Sequence, residues 1–125
     1  MIPPDVLAIL DAVPAFAPGY LAAVAEADGD PGAPAAFTEL AEVVAGLLAR
    51  PDGGPALGRC LAAVESVAAT PDGAELVAWA FLDSLGPDDR ARLRPRCGAR
   101  TVALLDEVEG RVEGRGGAGG EALPW

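Results

Sequence analysis

The chain predicts an all-α fold of six or seven helices, and three observations carry the prediction. Ala and Leu, both strong helix formers, are abundant, while β-branched and aromatic residues other than Val are scarce. No alternating apolar-polar run of strand length occurs, whereas apolar residues recur at i, i+3, i+4 and i+7. Pro- and Gly-rich breakers make the connections short, which favours antiparallel hairpins in a HEAT-like or helical bundle arrangement. A chain of 125 residues can bury one core without disulfides or metals. Residues 1–110 are assigned to that single helical domain and 111–125 to a flexible Gly-rich tail, where ordering entropy has little apolar surface to offset it.

The central element is predicted over Leu57 to Leu85. Leu57, Cys60, Leu61, Val64, Val67 and Ala68 line one helix face, with Arg59, Glu65 and Ser66 on the other. Thr70-Pro71-Asp72-Gly73 stops that helix, and Asp72 is placed to cap the next. In the second helix Val77, Ala78, Phe81, Leu82 and Leu85 form the buried stripe. Leu76 and Trp79 fall on the face that carries Glu75 and Asp83, so this helix is apolar nearly all round.

Before it come three helices. Asp5 to Val13 places Val6, Ile9, Leu10 and Val13 on one face, and Pro14 and Pro18 close it off. Tyr20 to Ala27 is anchored by Leu21 and Val24. Ala35 to Arg50 buries Phe37, Leu40, Val44, Leu47 and Leu48. The connection at Asp28 partly imitates a calcium loop, with Asp28, Asp30 and Glu39 at positions 1, 3 and 12. Gly32 at position 5 and Ala33 at position 6 break the pattern, so a solvated acidic loop is expected. After the centre, DDRARLRPR gathers Arg90, Arg92, Arg94 and Arg96 in one basic turn, close to Arg100. These arginines can pair with carboxylates of neighbouring helices or form an anion or partner site. A last helix, roughly Cys97 to Val112, places Cys97, Thr101, Leu104, Leu105, Val108 and Val112 on one face.

Composition narrows the function. The chain has no Lys, His, Asn or Gln, all nine basic residues are Arg, and Ala, Gly and Pro are abundant, as GC-biased codon usage in a bacterial source produces. A net charge of −10 argues against nucleic acid and anionic membranes and admits a basic partner. The first ten residues have neither a basic n-region nor a spanning apolar run, so a cytoplasmic protein is expected. Without His or Lys the usual nucleophile–base pairs, metal cages and phosphate cradles are missing, so neither an enzyme nor a cofactor is expected.

The order of elements, with FTELAEVVAGLL followed by CLAAVESVAATPDGAELVAWAFLDSLGP, resembles a small bacterial family of unknown function. Phe81-Leu82-Asp83 with Leu85 match that family's F-L-[DE]-x-L ending, and the likeness runs from about Val6 to Val108. The resemblance implies an all-helical fold and, since some members are suggested to be immunity proteins beside toxins, a toxin as partner.

Two functional readings stand at this level. One is a protein-binding module, most concretely an immunity-like inhibitor. The other is a structural or regulatory helical-repeat module that binds a peptide or self-associates through the patch around Trp79. In both, the candidate partner-binding residues are Trp79, Glu75, Asp83 and Leu76, with Trp79 either an exposed hot spot or covered by a neighbouring helix. Cys60 and Cys97 are far apart in sequence with no CxxC and no metal-ligand spacing, which points to two reduced thiols. A thiol assay on protein unfolded without reductant is expected to count two free thiols, and a count of none would overturn the compartment argument.

Overall fold

The computed structural model describes residues 4–29 and 31–116, of which 111–116 as backbone alone, and among the described residues there is helix but no strand. Seven α-helices follow in order: α1 (Pro4–Ala12), α2 (Ala17–Ala27), α3 (Ala33–Ala49), α4 (Gly54–Val67), α5 (Pro71–Glu75), α6 (Pro87–Leu93) and α7 (Ala99–Gly116). The chain is an all-α bundle in which α1 packs on α4 and α3, α2 on α3, and α3 on α4. No single described helix is long and apolar enough to cross a membrane, and Pro4–Ala12 and Pro14–Ala27 are bent by 115° to each other.

Prolines set most of the helix starts. Pro18, Pro34, Pro55, Pro71 and Pro87 each stand in a first turn, where the missing N–H is not needed. Pro18 therefore opens α2 and does not close α1, and a 3-10 turn (Pro14–Phe16) makes the corner. The anchors of this corner are Phe16 and Tyr20, both buried, with ring centroids 5.6 Å apart. Leu21, expected with Val24 as an anchor, is 62% exposed, because it is Tyr20, packed on Phe16, that faces inward in its place.

α4 buries Leu57, Cys60, Leu61, Val64, Val67 and Ala68, the stripe read from the sequence. The turn after it is capped by Thr70 and not by Asp72, since Thr70 Oγ1 accepts from the Gly73 N–H at 3.0 Å. Asp72 lies inside the first turn of α5, where its charge suits the helix dipole. Gly73 is required there, because a Cβ would overlap the carbonyl of Val67.

The helix after this turn is not a uniform α-helix. α5 gives way to a π-helical segment (Leu76–Phe81) and then to a 3-10 turn (Leu82–Ser84). The N–H of Leu82 reaches the carbonyls of both Ala78 and Val77, which marks the widened winding. The segment packs against α3 and α7 and buries Val77, Ala78, Ala80 and Phe81.

α7 is held by a carboxylate from another helix. Gly98, just before its first residue, has no side chain to cap with, and Glu65 of α4 takes that role. Glu65 accepts from Arg100 N at 2.9 Å, Thr101 N at 3.0 Å and Thr101 Oγ1 at 2.8 Å. A Cβ on Gly98 would overlap this carboxylate. Glu65, on the face opposite the apolar stripe of α4, thus has a structural role. The helix itself continues to Gly116, past the expected boundary at residue 110, and 117–125, the rest of the expected tail, lie outside the described residues.

Burial alone would raise the Glu65 carboxyl, but the amides of Arg100 and Thr101, the Thr101 hydroxyl and the Arg100 charge outweigh it and hold it below its ordinary value. A carboxyl lowered by folding adds stability above its unfolded value of about 4.3, and that stability is lost as pH falls through the folded value. Glu65→Gln is expected to cost about 1–3 kcal/mol at neutral pH and to flatten the loss of stability below about pH 5, read from urea midpoints across pH. An unchanged acid limb would show that the capping contact contributes nothing.

Candidate functional site

Trp79 belongs to the π-helical segment and is half-buried, packed against the core. It lines a groove of about 470 Å³ together with Pro34 from the start of α3, Asp72 and Glu75 from α5, and Leu76 and Ala80 beside it. It also lines a smaller hollow of about 100 Å³ with Ala74, Glu75, Ala78, Leu104 and Glu107. Leu104 and Glu107 belong to α7, so that helix covers part of the indole.

Of the residues read from the sequence, Trp79, Glu75 and Leu76 come together here, while Asp83 does not line either hollow. Uniform α winding puts Asp83 on one face with Glu75 and Trp79, at i, i+4 and i+8, but the change from π to 3-10 winding falls between Trp79 and Asp83 and breaks that register. Asp83 is exposed on the 3-10 turn. Asp72, Pro34, Leu104 and Glu107 were not foreseen. Asp72 stands at i−3 from Glu75, a spacing the sequence did offer, whereas the others arrive from helices distant in sequence.

Asp72, Glu75 and Glu107 are exposed carboxylates, and among the described residues no basic one lines the two hollows. The basic turn is turned elsewhere. Arg90 is buried and donates to the carbonyls of Leu82 at 3.3 Å and Leu85 at 2.5 Å. Its Nε lies 3.7 Å from Glu109, which also pairs with Arg94 at 2.6 Å, and Arg94 reaches Asp106 at 2.8 Å. Arg100 faces Glu65 at 3.9 Å. Ion pairs with neighbouring helices therefore take up much of the cluster.

The remaining groups offer little chemistry. Burial first, and then the neighbouring charge of Cys97, pushes the Cys60 thiol up to about 12. Burial and then Glu65 push Cys97 up to about 11, so neither is an activated thiolate. Cys60 and Cys97 are unlinked, the first buried and the second partly so. Among the described residues no group of three or more His, Cys, Asp or Glu is arranged to hold a metal ion. Asp28 ends α2 in the left-handed region at φ 53°, and Asp30 lies outside the described residues. Glu39 faces Gly19, whose Cβ would sit 3.0 Å from its Oε2. A hollow of about 480 Å³ near it is lined, among the described residues, by alanines, Pro31, Glu26, Thr38 and Glu39, with no aromatic among them for a partner to grip.

Comparison with protein-family models, with curated proteins and with solved structures finds no match for the chain. The fold and the groove thus define it as an all-α helical bundle with an acidic, tryptophan-centred cleft.

A half-buried indole gives intermediate behaviour. In the full chain carrying Trp125→Phe, Trp79 emission is expected between that of free and fully buried tryptophan, with partial quenching by acrylamide. Trp79→Ala is expected to cost about 1–2 kcal/mol of stability, less than the roughly 3–5 kcal/mol of a fully buried Trp. A larger loss would assign the ring to the core.

Proposed function

We propose that the chain is a non-enzymatic protein-binding module that meets its partner through the face around Trp79. The observation that carries this reading is the indole itself, half-open between Leu76 and a rim of carboxylates in a groove of about 470 Å³. Trp is enriched where binding energy concentrates, and an aromatic already packed against the core loses little freedom on binding. Glu75 and Leu76 contribute directly, and Asp83 serves as an outlying rim contact. The lack of His and Lys, together with thiols held protonated by burial, supports a binding role over a catalytic one.

An immunity-like inhibitor that covers a toxin with its acidic helical surface is the concrete form of this proposal. The net charge of −10 and the Phe81-Leu82-Asp83 likeness favour it, and two reduced thiols suit a cytoplasmic setting. Binding of a peptide by a regulatory helical module is the alternative. Self-association through the Trp79 patch is disfavoured, because two copies would bring Asp72, Glu75 and Glu107 of one face onto the same carboxylates of the other.

Site-specific photo-cross-linking tests the reading. A photoreactive side chain at position 72, on the groove, is expected to trap one protein partner in cells of the source organism, and the adduct should vanish with Trp79→Ala. The same group at position 52, beyond the far end of α3 and about 25 Å from Pro34 by helix length, should trap none. Identical adducts from both positions, or indifference to Trp79→Ala, would count against the proposal.

A further inference from the structure

We propose that the segment from Leu76 to Ser84 is a winding switch, held by the bundle in its π-to-3-10 form and able to pass to uniform α winding, which carries Asp83 onto the face of Glu75 and Trp79. The inference is independent of the protein-binding reading, since it concerns the free chain. Three observations argue for it.

The backbone already stands between the two forms. At the end of the π-helical stretch the N–H of Leu82 is divided between the carbonyl of Ala78, its α partner, and that of Val77, its π partner. At the start the N–H of Leu76 is divided between Asp72 and Gly73, an α and a 3-10 partner. Glu75, Leu76 and Leu82 have ordinary right-handed helical angles, and Phe81, at φ −97° and ψ −66°, departs from them without leaving the right-handed region. Every residue from Pro71 to Ser84 lies in a helical turn, so the exchange needs no peptide flip.

Both forms also suit the same core. Val77, Ala78, Phe81, Leu82 and Leu85 follow the α repeat in sequence, and all five are buried in the present winding. A π turn rises less per residue than an α-helix, and a 3-10 turn rises more, about 2.0 Å against about 1.5 Å, so the two irregularities offset and the ends of the segment stay in place. Those ends are fixed by Thr70 Oγ1 on the Gly73 N–H and by Arg90 on the carbonyls of Leu82 and Leu85.

One hydroxyl serves either form. Thr38 of α3 has a single O–H proton and two acceptors, the carbonyls of Pro34 at 3.0 Å and Ala80 at 3.3 Å. Directed at Ala80 it supports the present winding; turned fully to Pro34 it releases that carbonyl, which uniform α winding pairs with the Ser84 N–H. The Ala80 carbonyl thus keeps a partner throughout. In α winding Asp83 stands at i+4 from Trp79, whereas in the present form it is exposed on the 3-10 turn and lines neither hollow. The switch sets which carboxylates stand around the indole.

The test uses the full chain, isotope-labelled and free of any partner. Helix register shifts occur in microseconds to milliseconds, so backbone relaxation dispersion and saturation transfer read the second form directly. Dispersion is expected from Leu76 to Ser84, with minor-state carbon shifts that are fully helical and a population of about 0.1–10%. Thr38 is exposed, so Thr38→Val is expected to keep the fold; it removes the donor to Ala80 and should raise the second form about two- to tenfold, while Thr38→Ser leaves the ratio unchanged. The bond lost to Pro34 is common to both forms and cancels in that ratio. Flat profiles across the segment in the wild-type chain would overturn the inference. Minor-state shifts of coil type would overturn it too, by showing local unfolding in place of rewinding, and so would equal populations in Thr38→Val and Thr38→Ser.

Discussion

The central segment from Leu76 to Ser84 must satisfy its backbone while buried between α3 and α7, and the rest of the bundle is arranged around that requirement. Each change of winding, from α to π to 3-10, leaves carbonyls without a regular helical partner. At Ala80 the carbonyl accepts from Ser84 Oγ at 2.8 Å and from Thr38 Oγ1 of α3 at 3.3 Å. At the end of the segment the buried Arg90 supplies donors to Leu82 and Leu85, a cation at the C-terminal end of a helical run. That placement is costly without a counter-charge, and Glu109 provides it from α7. The basic turn is thus drawn into the structure by backbone hydrogen bonding as much as by ion pairing.

The same segment decides what the surface offers. Its widened winding brings Val77, Ala78, Ala80 and Phe81 inward and leaves Leu76 and Trp79 at the boundary between core and solvent. α7 then limits how far Trp79 is open, and α7 is itself positioned by the Glu65 carboxylate at its start and by Glu109 further along. Capping, ion pairing and the shape of the cleft are therefore linked. With Arg90, Arg94 and Arg100 turned toward Glu109, Asp106 and Glu65, the described charges that line the hollows beside Trp79 are the carboxylates of Asp72, Glu75 and Glu107.

The pattern of apolar residues by itself determined the all-α class and the stripes of α3 and α4, because a 3.6-residue repeat flanked by proline and glycine has few alternatives. It also singled out Trp79, Glu75 and Leu76, which lie close along one helix. Only the tertiary structure decided the rest. The i, i+4 rule that grouped Asp83 with Trp79 holds for α winding, and burial between two helices imposed a different winding that no local sequence pattern announces. The role of Glu65 is not legible locally because its partners, the amides of Arg100 and Thr101, are distant in sequence, and Gly98 makes sense only once that carboxylate is seen beside it. Likewise, Pro34, Leu104 and Glu107 reach the cleft from α3 and α7. Local periodicity records which face of a helix is apolar; which neighbour covers it, and which charges that neighbour brings, is settled by packing between distant segments.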